Sequence, residues 1–293
     1  MKIKNIGIVS PGDMGQAVGI RLKEGDFTVC TALEGRSERT RSLSAEAAIE
    51  DCGSLAALAA RCDLILSILD PGAALETAGK AAAAMRSAGR APLYADCNAV
   101  APQTKLEIAA LVGAAGARFV DVGIIGPPPR GEGKVNLYAS GPQAALLSPL
   151  AQPSMAVRIV SDRVGDAAAL KMCYGAITKG MIALGTELLV AAHRLGIAEA
   201  LEAEMARSQV PIRDFLHRNL PSMPPKAYRW VPETREIAAT FEHAGLTPRT
   251  MLGAADMYSL IAASALGRES PEQAREARCS AQAVIATLAD LPP

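Results

Sequence analysis

The chain has 293 residues, 50% of them apolar and 20% charged, which is enough for one large domain or two modest ones with a buried core and excludes a disordered chain. Thirty basic residues balance thirty acidic ones, so the net charge calls for no nucleic acid, no anionic membrane and no polyacidic partner. Aromatic residues are 3% of the chain, too few for platforms on which single-stranded bases stack.

From residue 1 to about 160, short β-branched apolar runs alternate with longer alanine-rich stretches. The runs are KNIGIVS (4–10), FTVCTAL (27–33), DLILSIL (63–69), APLYADC (91–97), ARFVDVGII (117–125) and KVNLYAS (134–140). Separated by stretches such as GQAVGIRLKEG and AALETAGKAAAAMRSAG, they predict repeated βαβ units and a mostly parallel sheet, doubly wound through right-handed crossovers. Past residue 162 strand-like runs nearly vanish. From Gly165 apolar residues recur at helical spacing (Leu170, Tyr174, Ile177, Met181, Leu184, Leu188), predicting one helix of roughly 30 residues. It contains Gly175, Gly180 and Gly185, each costing about 1 kcal/mol against alanine, so a close backbone or ligand approach is expected along it. Pro221, Pro224 and Pro225 break the pattern, and further helices are expected around 232–244, 248–267 and 271–290. The fold class is therefore α/β: an N-terminal doubly wound, Rossmann-type sheet over residues 1–162, then an all-α domain over 163–293 that begins with the long helix.

Cys30, Cys52, Cys62, Cys97, Cys173 and Cys279 form no C-x-x-C pair, and His193, His217 and His243 are scattered, so no metal is expected. The opening MKIKNIGIVS runs into a strand without an apolar h-region or an A-x-A site. A cytoplasmic protein with free thiols packed as small core residues is expected. Asp70 interrupts the apolar stretch from Leu64 to Leu75, and Lys179 and Glu187 that from Ile177 to Ala192, so neither reads as a membrane-spanning helix.

The first strand ends at VSPGDMG, with Ser10, Gly12 and Gly15 in the places of the glycines of G-x-G-x-x-G. Such a turn, made of Ser10, Pro11, Gly12, Asp13, Met14 and Gly15, lets the backbone approach a pyrophosphate that rests on the N–H groups opening the next helix. The same two glycines also serve a plain strand-to-helix turn; the βαβ context favours the dinucleotide. After the second strand, Glu34 stands near the position of a ribose-binding carboxylate, but Arg36, Ser37 and Arg39 follow at once. Forked guanidinium donors and a hydroxyl suit a 2′-phosphate, which points to NADP, with NAD possible. The alternative is a solvated charged turn in which Glu34 satisfies the arginines.

The order of VSPGDMG, GRS (35–37), SILDP (67–71), DCNAVAP (96–102), GPPPRGEG (126–133) and GDAAALKMCYG (165–175) resembles the β-hydroxyacid dehydrogenase family, which includes 3-hydroxyisobutyrate and 6-phosphogluconate dehydrogenases. The resemblance covers about residues 3–197, where ELLVAAHRLGI (187–197) is similar to the family's glutamate-bearing stretch. KAYRWVPETREIAATFEHAG (226–245) resembles the C-terminal domain of a branch that joins this cofactor domain to a distinct helical domain. The resemblance implies an oxidoreductase in which Lys171 is the general acid/base, which the chemistry also asks for, because an alkoxide left by hydride transfer to a carbonyl must be protonated; with Arg36 and Ser37 the reading is an NADP-preferring oxidoreductase. On helical periodicity alone the snorkelling surface lysine is the favoured reading of Lys171. The family also implies that Asn98 approaches the nicotinamide or substrate, unless it is a turn asparagine. Leu69, Asp70 and Pro71 end another strand at the carboxyl edge where ligands of open α/β sheets bind, so they are expected to line the path between adenosine and nicotinamide.

Departures from the family pattern fall in the substrate region. Ala167 replaces the second glycine before the lysine, and Tyr174 and Gly175 stand in the places of two asparagines. Tyr174 is a candidate to replace the lost hydrogen bond, or Gly175 to enlarge the pocket. The family's serine-glycine-glycine loop aligns with Ile125, Gly126 and Pro127, so its polar grip on a carboxylate is largely absent. Thr178 lies near the face of Lys171, whereas Lys179 is rotated away and expected at the surface. Arg229, Trp230, Glu233 and Glu236 read as caps and salt bridges, or else Lys226 or Arg229 grips an anionic substrate from a partner subunit. The expected partners are a small-molecule substrate and a second copy of the chain, forming a homodimer through the helical domain. Two alternatives stand beside the dehydrogenase: an imine reductase-like enzyme, favoured by Ile125 and Tyr174 and opposed by Lys171, and a non-catalytic NADP-binding sensor.

Overall fold

The computed structural model describes residues 2–291 and divides into two units, Met1–Met172 and Cys173–Pro293. In the first, β1 (Asn5–Ile8), α1 (Asp13–Glu24), β2 (Thr28–Thr31), α2 (Glu38–Glu46), β3 (Glu50–Asp51), α3 (Leu55–Arg61), β4 (Leu64–Ser67), α4 (Ala74–Ala88), β5 (Leu93–Asp96), α5 (Pro102–Gly113) and β6 (Phe119–Ile125) alternate as βα units. The hairpin partner β7 (Val135–Ser140) and then β8 (Met155–Ser161) complete one sheet of order β3-β2-β1-β4-β5-β6-β7-β8. Strands β3 to β6 run parallel, β7 is antiparallel to β6, and β8 is parallel to β7.

Apolar residues fill both faces of the central strands, as sheets covered on both sides require. Leu64 and Leu66 of β4 join one core cluster with Ile6, Ile8 and Val122, while Ile65 joins the other with Cys30, Tyr94 and Ile108. Local side chains set the helix starts: Ser37 Oγ accepts from Thr40 N to cap α2, and Ser54 Oγ from Ala57 N to cap α3.

Helix α6 (Asp166–Arg194) matches the predicted long helix. The division between units falls inside it, later than the expected boundary near residue 162, because its first turn is bonded to β6 and β7. Its apolar face is reversed from the simplest expectation. Met172, Gly175, Lys179, Ile182 and Thr186 are buried, whereas Leu170, Tyr174, Ile177 and Leu184 are 37%, 52%, 59% and 62% exposed. By length and composition α6 is also apolar enough to cross a bilayer, contrary to expectation, because Lys179 and Glu187 are its only charges between Met172 and Ala192.

The second unit continues with α7 (Ala198–Ser208), α8 (Val210–Asn219), α9 (Ala227–His243), α10 (Arg249–Ala263), α11 (Pro271–Ala277) and α12 (Ala281–Ala289). The helix expected at 271–290 is two: Arg278 turns left-handed at φ 47°, and Ser280 caps the second. Strand β8 was not among the expected runs. Three of its residues, Arg158 to Val160, are exposed at the sheet edge, so its pattern lacks a continuous apolar signature. Of the cysteines, Cys30, Cys62 and Cys97 are core residues as expected, but Cys173 is exposed on the outer face of α6.

Candidate active site

The strand order turns back between β1 and β4, and in an open α/β sheet the loops following those strands frame the ligand crevice. The first loop is Ser10–Gly15. Gly12 N donates to Ser10 O at 2.8 Å, closing a tight turn. A Cβ on Gly15 would lie 2.5 Å from Ser10 O and 3.2 Å from Ile8 Cγ2, so only glycine lets α1 start this close to β1. Gly12 is different: no atom lies within 4 Å of the place its Cβ would take. It is the N-cap of α1, and no side chain caps that helix. Its bare side is thus not demanded by packing, and the helix start beside it carries N–H groups of the kind that bind anions. Pro11 is buried beneath the turn, and Met14 packs on the core.

At the end of β2, Glu34 is exposed and its N–H donates to Gly53 O at 3.2 Å. Arg36 is half-buried, and desolvation lowers its pKa. Ser37 Oγ is occupied in capping α2 and bonds Thr40 Oγ1 at 3.1 Å. An open depression of about 500 Å³ lies alongside, lined by Glu34, Arg41, Asp51, Cys52, Gly53 and Ser54. Burial pushes the Cys52 thiol up to about 11, so it stays neutral there.

The loop after β4 holds Leu69, Asp70 and Pro71. Asp70 Oδ1 accepts from Gly72 N at 2.9 Å, and Leu69 N donates to Asn98 Oδ1 at 2.7 Å. Asn98 is buried, and its Nδ2 donates to Ser67 Oγ at 3.0 Å and to Asp96 Oδ2 at 2.7 Å. Its amide therefore ties the ends of β4 and β5 together, a role neither of the two sequence alternatives contained.

Beneath Asn98 lies a group of residues that sequence reasoning missed. Lys105, Asp96 and Asp121 are fully buried. Lys105 Nζ donates to Asp96 Oδ1 at 2.6 Å, Asp96 O at 2.7 Å and Val122 O at 3.3 Å, and lies 3.3 Å from Asp121 Oδ1. Burial pulls its pKa down, but the two carboxylates outweigh this and raise it overall. Asp121 Oδ2 accepts from Ser140 Oγ at 2.9 Å and from Gly165 N and Ala168 N at 3.0 Å, while Ser140 Oγ accepts from Ala167 N at 3.0 Å. The start of α6 is thus capped by β6 and β7. A signal existed: Lys105 stands in helical register with the buried Ile108 and Val112, and Asp96 and Asp121 interrupt apolar strands.

Lys171 follows in the second turn of α6 and is half-buried. A Cβ on Gly123 of β6 would meet Ala167 O at 2.7 Å and Lys171 Cβ at 3.0 Å, so this glycine admits the helix against the strand. Ile125 ends β6 and is buried; Gly126 turns the chain with φ 128°. In the second unit, Tyr174 is exposed and Thr178 half-buried. Gly175 does not enlarge a pocket, because α9 fills the space: its Cβ would meet Ile237 Cδ1 at 3.4 Å and Glu233 Oε1 at 3.8 Å. Lys179, expected at the surface, is 8% exposed. Its ammonium pairs with Glu233 Oε1 at 2.7 Å and lies 5.6 Å from the Trp230 ring centre, and its carbonyl accepts from Tyr258 Oη at 2.6 Å. The RWVPETRE segment therefore supplies a buried ion pair within the helical unit.

A model of the NAD binding domain of 6-phosphogluconate dehydrogenase matches residues 5–151. The chain belongs to that family. By this membership it is an NAD(P)-dependent oxidoreductase. Residues 192–261 match a domain of unknown function, DUF1932. An uncharacterized 28.5 kDa protein of Methanothermus fervidus is 28% identical over 196 residues, covering 67% of this chain and 74% of that protein. A conserved protein of unknown function with structural similarity to 3-hydroxyacid dehydrogenases is 26% identical, with TM-score 0.64 over 94% of this chain and 99% of the other. The 3-hydroxyisobutyrate dehydrogenase of Mycobacterium tuberculosis, solved with L-serine, shares 16% identity with TM-score 0.68 over 95% and 100% of the two chains. A reductive aminase of Aspergillus terreus, solved with NADPH and ethyl levulinate, shares 17% with TM-score 0.54 over 98% and 99%. The last two likenesses show the shared fold.

Proposed function

We propose that the protein is an NADP-preferring oxidoreductase of the β-hydroxyacid dehydrogenase type, acting on an alcohol or carbonyl substrate with Lys171 as general acid/base. The observation that carries this reading is the Ser10–Gly15 turn, where Gly12 has an open side and α1 begins without a side-chain cap. Ser10, Pro11, Gly12, Asp13, Met14 and Gly15 would hold the diphosphate; Leu69, Asp70 and Pro71 would line the path to the nicotinamide; Arg36 and Ser37 would meet the 2′-phosphate. When bound, the nicotinamide exchanges a hydride at its ring C4 with the substrate carbon. Lys171 Nζ takes the hydroxyl proton in the oxidative direction and returns a proton to the carbonyl-derived oxygen in the reductive one. Asp121 and Ser140 fix the helical turn just before it, which limits where that ammonium can reach.

Imine reduction is the second reading. It is favoured by the apolar Ile125 at the end of β6 and by Tyr174, which stands in a place where the resemblance implies an amide. The exposed apolar stripe of α6 supports a homodimer through the helical unit. The burial of the Lys179 charge against Glu233 supports a core helix over a membrane span, and six free cysteines support a reducing, cytoplasmic setting.

The test is titration of the purified protein with NADPH and NADH, followed by nicotinamide fluorescence, and then turnover with hydroxyacids, ketones and imines. Lys171→Ala is expected to bind NADPH as the parent does and to lose about 10²-fold or more in turnover of the alcohol or carbonyl substrate. Unchanged turnover would remove Lys171 from the chemistry, and activity confined to imines would favour the second reading. NADPH binding with no turnover of any of the three classes would leave a sensor.

A further inference from the structure

We propose that Arg130, on the loop between β6 and β7, is a diphosphate-contacting residue of the dinucleotide site, held in place by Asp13, Gln16 and Arg21. This rests on the reading of Ser10–Gly15 as the dinucleotide turn and adds to it a group from a distant segment. The loop is stiff: Gly126, at φ 128°, is followed by three prolines, and Gly131 sits at φ 55° just after Arg130. It is strapped to α1. Arg21 Nε donates to Pro129 O and Arg21 Nη2 to Gly131 O, both at 2.7 Å, so the carbonyls on either side of Arg130 are fixed.

The guanidinium itself reaches the first residue of α1. Nη1 donates to Asp13 Oδ1 at 2.9 Å, and Nη2 to Asp13 O at 3.1 Å and Gln16 Oε1 at 2.7 Å. Arg39, from the start of α2, lies 3.9 Å from the same Asp13 oxygen. Two guanidiniums thus converge on one carboxylate beside Gly12, at a helix start that no side chain caps. Both side chains remain about two-fifths exposed, 40% for Arg130 and 43% for Arg39, so their attraction to Asp13 adds little stability. Orientation is its more consequential effect. Three of the five guanidinium donors of Arg130 are engaged, which leaves donors for an anion arriving over the open side of Gly12. The 2′-phosphate would instead meet Arg36, beyond β2.

The experiment measures dissociation constants of NADPH, NADH and ADP-ribose for the full-length parent, Arg130→Gln and Arg36→Gln, with thermal melts of each. Arg130→Gln is expected to weaken all three ligands by a similar factor of about tenfold or more, because all carry the diphosphate. Arg36→Gln is expected to weaken NADPH alone. Arg130→Lys, which keeps the charge but not the fork, should fall between parent and Arg130→Gln and guards against a folding defect. Equal affinities in parent and Arg130→Gln overturn the proposal while leaving the dinucleotide reading intact. Loss confined to NADPH also overturns it, by moving Arg130 to the 2′-phosphate. A parent that binds none of the three ligands takes down both readings.

Discussion

Replacing Lys105 with methionine shortens the side chain by one atom and keeps most of its volume, so the cavity it leaves is small and the loss is mainly electrostatic. The change removes the ammonium that lies between two fully buried carboxylates. Asp121 Oδ1 then suffers most, since it accepts no hydrogen bond among the described residues and has only the Lys105 ion pair at 3.3 Å. Breaking a buried pair from one side costs about 3–5 kcal/mol. That is a large share of the roughly 5–15 kcal/mol that holds a domain folded, and it should lower Tm by about 6–20 °C. The pH dependence has a definite sign. Lys105 has a raised pKa in the folded chain, so its stabilisation is complete below the ordinary lysine value near 10.4 and is lost only as pH rises through the folded value. In Lys105→Met the two facing carboxylates repel, and uptake of a proton by either relieves this, so the deficit should shrink as the solution is acidified from neutrality. Urea melts of both proteins at several pH values between neutral and mildly acidic read this directly. A deficit under about 1 kcal/mol, or one that grows with acid, would refute the charged network.

The two glycines of the first turn should separate packing from binding. Gly12→Ala adds a Cβ to open space and should melt within about 1 kcal/mol of the parent, yet lose NADPH affinity by about tenfold or more. Gly15→Ala pushes a Cβ against Ser10 O and should cost about 1–3 kcal/mol before any ligand is added. Equal melting temperatures for the two variants would contradict the geometry. The exposed stripe of α6 predicts that the parent sediments as a dimer and that Ile177→Asp combined with Leu184→Asp sediments as a monomer with an unchanged far-ultraviolet spectrum. A monomeric parent would dismiss that surface as an interface.

What was legible in the sequence is what local signals write. The turn at Ser10–Gly15 follows a β-branched strand and opens a helix, so neighbours in the chain are neighbours in space. The long helix announced itself by periodicity. The buried charges were not legible because their partners are remote: Lys105 meets Asp96 and Asp121 from three elements, and Lys179 meets Glu233 54 residues away. Lys179 was also hidden by α6 being apolar on both sides. The exposed Leu170, Tyr174, Ile177 and Leu184 make a more conspicuous stripe than the buried face that carries Gly175, Lys179 and Thr186, because glycine, lysine and threonine do not read as core.

These remote contacts give the first unit a coherence that the motifs alone lack. Asn98 clamps the loop after β4 to the end of β5, Lys105 joins that strand end to β6, and Asp121 of β6 grips the start of α6. One chain of buried bonds therefore runs from the loop that would line the nicotinamide path to the helical turn preceding Lys171. In a low-dielectric interior such bonds have little room to lengthen, so the backbone that carries Lys171, one turn beyond Ala167, inherits the rigidity of the sheet. Hydride transfer between two small molecules would need that kind of fixed spacing, and Lys105, Asp121 and Ser140, which supply part of it, lie outside the motifs that suggested the reaction.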